Sequence, residues 1–171
     1  MQQTRQQLTL FITRQTEVIE QVRSQFNPIQ HSLIPAHVTL CREDEIEQLD
    51  QVLPNIKDIK LSSPIQMTFG AVEQFENGKG VYMPAKAGND SFQQLRKLIL
   101  KGINDSPRPL LPHITLMHPR NSTCTSEIFE QIKSYPLPTV LSFFKISLIT
   151  QINGGKWKIT REFDFVVSKK E

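Results

Sequence analysis

Residues 35–40 read PAHVTL and residues 111–116 read LPHITL. The chain has only four histidines in 171 residues, yet it places two of them in the same His-x-Thr-Leu string, nearly half the chain apart. Both strings are short and rich in β-branched residues, so both predict strands. Side chains on a strand alternate between faces. His37 and Thr39 therefore share one face, and Val38 and Leu40 the other. His113 and Thr115 stand against Ile114 and Leu116 in the same way. The apolar pair can anchor each strand in a core, which leaves the polar pair to face whatever lies opposite. A repeat kept for packing alone would preserve the apolar positions. It has no reason to put His and Thr on the other face twice.

The patterns around the two strings match as well. Residues 8–13, LTLFIT, alternate as a strand, and Thr16 offers an N-cap to a helix over 16–26 that places Val18, Ile19, Val22 and Phe26 on one face. Asn27-Pro28 ends it. After HVTLC, residues 43–54 predict a helix with Ile46, Leu49, Val52 and Leu53 at helical spacing, closed by Pro54. PIQMTFGAV, the Asn77-Gly78 turn and VYMPA predict a hairpin. The order then restarts with a strand at 81–86, a helix on Phe92, Leu95, Leu98 and Ile99, a polar loop at 102–109, HITLM, and a helix that begins in the Ser/Thr cluster 122–126. Two long strands, 139–151 and 156–167, joined by Asn153-Gly154-Gly155, follow. The expectation is an α+β fold of duplicated, bilobal modules, roughly 1–80 and 81–171, within one domain. Their antiparallel sheets, which can exchange strands, would line a central cleft, with the helices on the outer faces.

Composition narrows the function classes. Hydrophobic residues make up 38% and charged residues 22%, ordinary for a folded protein, and the net charge of +3 permits an anionic ligand without demanding one. No apolar run approaches a membrane span, and the first residues lack the apolar centre of a secretory signal. Cys41 and Cys124 form no Cys-x-x-Cys pair. The expectation is a cytoplasmic, monomeric protein with reduced thiols and no membrane contact.

Two imidazoles and two hydroxyls facing one cleft suit phosphoester chemistry without a metal or other cofactor. Imidazole titrates near neutrality, so one ring can accept a proton from water while the other protonates the departing oxygen. The hydroxyls can donate to the non-bridging oxygens, where negative charge gathers. A metal site on His37, His113 and His118 lacks a convincing further ligand, and threonine serves zinc poorly.

At these residues the chain resembles the 2H phosphoesterase superfamily, and within it the branch of 2'-5' RNA ligases and RNA 2',3'-cyclic phosphodiesterases. The resemblance spans nearly the whole chain in element order, and the two tetrapeptides carry it. It implies His37 and His113 as the catalytic pair, with His113 as base and His37 as acid, and Thr39 and Thr115 as phosphate-binding hydroxyls. It also implies as substrate an RNA with a 2',3'-cyclic phosphate end or a small cyclic nucleotide, opened to a phosphomonoester. Some members join ends through a 2'-5' linkage in reverse. RNA-processing relatives often carry an arginine shortly after the second motif. Here His118 holds that place, with Arg120 two further on, and Arg42 holds the matching place after the first motif.

Arg42 and Arg120 are candidate phosphate contacts. Phe11, Tyr82 and Trp157 are candidate stacking platforms, Tyr82 foremost because it lies beside the Asn-Gly turn. Strand alternation puts His118 on the face opposite His113, and Cys41 on the face of His37, where it can edge the cleft; without a basic partner it is expected as a small buried thiol rather than a nucleophile. His31 is expected in a surface loop, and the terminal SKKE run as a solvated tail. The alternative to an enzyme is a non-catalytic module that binds RNA or a nucleotide in the same cleft.

Overall fold

The computed structural model describes residues 1–167; the SKKE run, 168–171, lies outside them. The fold is α+β with antiparallel sheets. Its strands are β1 (Thr4–Phe11), β2 (His37–Cys41), β3 (Ile65–Thr68), β4 (Glu73–Gln74), β5 (Val81–Pro84), β6 (His113–Met117), β7 (Val140–Phe143), β8 (Lys145–Ile152) and β9 (Lys158–Asp164). Its helices are α1 (Glu17–Phe26), α2 (Pro28–Leu33), α3 (Leu49–Asp58), α4 (Asp90–Ile99) and α5 (Ser126–Lys133). Seven strands form one sheet in the order β4-β5-β6-β2-β1-β8-β9, while β3 and β7 pair apart from it.

The two histidine strands meet at the centre of the large sheet. They are antiparallel and joined at a single paired position, Val38↔Ile114. Leu10, Val38, Leu40, Ile114, Leu116 and Ile146 are buried on the apolar side. Against the core pack Ile19 and Val22 of α1 and Phe92, Leu95 and Ile99 of α4. The helices cross over: α1 packs on β6, and α4 packs on β2 and β3. Each histidine strand is thus held by the helix that lies next to the other one in sequence.

The connectivity β1-α1-β2-α3-β3 recurs as β5-α4-β6-α5-β7, and the last strands of the two runs pair with each other. This departs from the expected hairpins. Residues 65–68 leave for the small sheet, so the hairpin across Asn77-Gly78 is the short pair β4–β5. Gly78 takes φ +67, as such a turn requires. The expected strand 139–151 divides at Phe144 into β7 and β8, one in each sheet. The β8–β9 hairpin then lies beside β1, at the far end of the large sheet from β4.

Four local expectations are corrected. Pro54 does not close a helix; α3 runs through it, and burial of Val52 and Ile56 offsets the lost backbone bond. Residues 43–45 form a separate 3-10 turn, so the helix begins at Leu49. Leu98 is 42% exposed, off the buried stripe of α4. The Thr16 hydroxyl makes no capping bond, whereas Thr125 Oγ1 accepts from the Ile128 N–H at 3.1 Å and caps α5.

Candidate active site

His37 and His113 are anchored alike. Each ring directs Nδ1 at the carbonyl of the residue two before it: His37 to Pro35 O at 2.8 Å, His113 to Leu111 O at 3.0 Å. A carbonyl only accepts, so Nδ1 carries the hydrogen and Nε2 is left to work as acceptor or, when charged, as donor. Antiparallel partners share a face. Extending the Val38↔Ile114 register by one residue either way sets His37 across from Thr115 and Thr39 across from His113. All four side chains line one cleft of ≈ 710 Å³.

Both strands carry a bulge just past the motif. β1 pairs Thr9↔Thr39 and then Leu8↔Cys41, leaving Leu40 without a partner. β5 pairs Tyr82↔Thr115 and then Val81↔Met117, leaving Leu116 likewise. An extra residue reverses the alternation beyond it. Cys41 therefore turns into the core: it is the buried thiol expected, but on the face away from the cleft edge. Its thiol is pushed up to about 12 by burial, which makes it a poor nucleophile. By the same shift Arg42 and His118, each five residues after its histidine, return to the cleft. The expectation that His118 faces away fails for this reason. Its backbone N–H donates to Asn27 Oδ1 at 2.7 Å, and its Nδ1 accepts from the Arg120 N–H at 3.0 Å.

The electrostatics of the cleft are uneven. His37 reaches the cleft surface but is hemmed in by protein, and this desolvation lowers its pKa to about 4. The Pro35 carbonyl pulls the other way, while the charges of Arg23, His113 and His118 push it lower. Burial, then Arg120 and Arg5, lower His118 as well. Arg23 is buried in the cleft wall, with Nη2 donating to Ile34 O at 2.7 Å and Nη1 to Glu20 at 2.9 Å. Glu20 in turn accepts the Ala36 N–H at 2.7 Å, directly before His37. Its other oxygen lies 3.1 Å from His31, which sits in α2 rather than in the expected loop.

Arg42 and Arg120 both line the cleft, and neither guanidinium pairs with a carboxylate among the described residues. Tyr82 stands at the flank. Its ring meets His113 edge-on at 5.5 Å between centroids and lies over Phe75 at 4.5 Å, while its hydroxyl donates to Glu73 at 2.8 Å. Phe11 meets His37 edge-on at 6.0 Å. Trp157 lines the cleft itself.

Arg5 and Arg23 line the cleft without having been singled out in the sequence, and Gln7 and Arg96, which serve the site, were missed with them. Gln7 lines the cleft, and its Nε2 donates to Thr9 Oγ1 at 2.8 Å and to Thr39 Oγ1 at 3.1 Å. With the Thr39 oxygen accepting, its own proton is free for a ligand. The alternation Gln7, Thr9, Phe11 along β1 was a signal for it. Arg96 gave none. It is 1% exposed on α4 and donates to Leu40 O at 2.6 Å, to Arg108 O at 3.1 Å and to both oxygens of Glu45. It ties β2 to the segment leading into β6. Its Nε has no partner among the described residues. Also among the described residues, no three His, Cys, Asp or Glu side chains form a metal-ligating group, and no helix is long and apolar enough to cross a membrane.

A cleft floored by an antiparallel sheet, with a His-x-Thr pair on each of its two central strands, defines the class: a two-histidine phosphoesterase fold. Residues 12–155 match the 2'-5' RNA ligase superfamily, and the chain belongs to it. Among curated proteins, none matches the sequence. Solved structures share the fold at low identity. Escherichia coli LigT complexed with 3'-AMP is 16% identical, with a TM-score of 0.62 over 96% of this chain and 99% of that one. The same protein complexed with NADP+ is 17% identical, with a TM-score of 0.63 over 94% and 97%. TT0787 of Thermus thermophilus is 17% identical, with a TM-score of 0.64 over 94% and 97%.

Proposed function

We propose that the protein is a metal-independent phosphodiesterase that opens 2',3'-cyclic phosphates on RNA ends or small nucleotides, with reverse 2'-5' joining as a further capacity. The observation that carries this reading is the shared placement of His37, Thr39, His113 and Thr115, with both Nε2 atoms left unoccupied by backbone. Water attacks phosphorus and gives its proton to one imidazole. The P–O bond to one ribose oxygen breaks, and that oxygen takes a proton from the other imidazolium. The product is a phosphomonoester beside a free hydroxyl. Each proton transfer is worth about two to four orders of magnitude in rate. Thr39 and Thr115 donate to the non-bridging oxygens, and Arg42 and Arg120 neutralise charge from the rim.

The resemblance makes His113 the base and His37 the acid. A His37 pKa of about 4 leaves that ring neutral in the free protein at pH 7. That order therefore requires the bound phosphate, an anion beside the ring, to restore the proton. Nucleotides bound to the fold's relative LigT support a nucleotide ligand. In the same reading the chain is one domain of two related modules, 1–80 and 81–171, each lending one His-x-Thr strand to the cleft.

The test is incubation of an RNA ending in a 2',3'-cyclic phosphate with wild type, His37→Ala and His113→Ala, in EDTA, with product mapping. Turnover by wild type that both variants lose is expected. Binding without turnover would replace the enzyme by a nucleotide-binding module. A substrate with a p-nitrophenolate leaving group sorts the roles: it needs no acid, so the variant that retains activity on it lacks the acid.

A further inference from the structure

The cleft continues past the histidine pair. Phe11, Thr9, Gln7 and Arg5 occupy alternate positions on β1 and so share its cleft face, with Phe11 paired to His37 and Thr9 to Thr39. Gln7 touches the Thr39 hydroxyl, and Arg5 lies one strand repeat further on, about 7 Å away. There the Arg5 guanidinium sits 5.5 Å from the centroid of the Trp157 ring. Arg5 is braced from two sides, Nε donating to Glu43 Oε2 at 3.4 Å and Nη1 to Gln151 Oε1 at 3.4 Å. The Trp157 backbone N–H donates to Leu33 O at 2.9 Å, which fastens the β8–β9 loop to the end of α2. Arg5 and Trp157 both line the same cleft as the histidines.

We propose that Arg5 and Trp157 form a second nucleotide subsite, which seats the nucleotide next to the one bearing the cyclic phosphate in the same RNA strand. The guanidinium covers one face of the indole, so a base stacks on the opposite face, and Arg5 Nη2, which neither Glu43 nor Gln151 uses, holds the phosphate linking the two nucleotides. The spacing from Gln7 is of the order of one backbone step of an extended strand. An isolated surface cation–π pair would have no need of the bracing from Glu43, Gln151 and Leu33. The subsite makes an RNA end a better substrate than a single cyclic nucleotide. It rests on the phosphodiesterase reading and adds a length requirement to it.

The chain has one tryptophan, so its fluorescence reports this subsite alone. Two measurements test the proposal. The first compares kcat/KM for adenosine 2',3'-cyclic phosphate and for the dinucleotide ApA ending in a 2',3'-cyclic phosphate. The dinucleotide is expected to be favoured roughly tenfold. Trp157→Ala is expected to bring the ratio close to one, and Trp157→Phe to keep most of it. The second titrates wild type with ApA 3'-phosphate and with adenosine 3'-phosphate; the dinucleotide alone is expected to quench the tryptophan. Equal kcat/KM for the two substrates, or unchanged fluorescence with the dinucleotide, overturns the subsite. If neither substrate is turned over, the phosphodiesterase reading falls, and the titration by itself decides whether the subsite stands.

Discussion

β2 and β6 carry the same motif, the same backbone anchor on Nδ1 and the same bulge, yet they set their histidines in different company. His37 is backed by Phe11, and the buried Arg23 charge bears on it. His113 lies among the rings of Tyr82 and Phe75. Thr39 is oriented by Gln7, while Thr115 faces Tyr82 across the β5 ladder. Repetition supplies two imidazoles of one kind, and in the proposed reaction their differing surroundings would divide acid from base. Desolvation of His37 is the plainest of those differences; it keeps the free ring neutral, so the proposed acid role of His37 depends on the bound phosphate.

The largest break in this comparison removes one ring. His37→Ala or His113→Ala is expected to lower kcat on a cyclic phosphate by about two to four orders of magnitude. The double variant is expected to be little worse than the poorer single one, because the two act as a unit. Steady-state assays with circular dichroism as the folding control measure this.

Next comes the crossed bracing of the strands. Arg96→Ala strips a buried cation from Glu45, Leu40 O and Arg108 O and is expected to cost about 3–5 kcal/mol in urea unfolding. Arg23→Ala leaves Glu20 with its bonds to His31 and Ala36, and about 1–3 kcal/mol is expected. A reversed ranking would show that α1, not α4, carries the sheet centre.

A subtler effect follows from proton linkage. The folded His37 refuses a proton that the unfolded ring accepts below about 6.5, so its contribution to stability is lost as pH falls from there towards about 4. Glu45 is held below the usual carboxylate range by Arg96 and the Arg42 N–H against the opposing pull of burial. Its contribution is present above that range and lost as pH falls beneath it. His37→Asn is expected to flatten the first slope and Arg96→Ala the second, read from denaturation midpoints across pH 3–7. The acid limb of kcat/KM is expected near the His37 value of about 4.

The smallest effects sharpen the contrast between the hydroxyls. Gln7→Ala frees Thr39 to rotate and is expected to lower kcat up to about tenfold, the worth of one oriented hydrogen bond. Tyr82→Phe keeps the ring against His113 and loses only the bond to Glu73, so a change below about twofold is expected.

The His-x-Thr strands, their shared polar face and the helices on Ile19, Val22, Phe92 and Leu95 were legible in the sequence, because alternation and helical spacing are local properties of neighbouring side chains. Pro54 misled because a proline's cost is local while the burial of Val52 and Ile56 that outweighs it is not. Cys41 and His118 were assigned to the wrong faces because an extra residue in one strand is visible only against its partner. Which strands pair, that residues 65–68 desert the hairpin for β7, that Arg96 reaches from α4 to β2, and that burial and distant charges leave His37 less basic than its reference, all depend on groups far apart in the chain. The sequence by itself determined that two histidines and two threonines would face one way from two strands. Only the tertiary structure decided that they stand side by side on one face of adjacent strands, with His37 stripped of its usual basicity, because register, desolvation and charge are properties of the assembled chain.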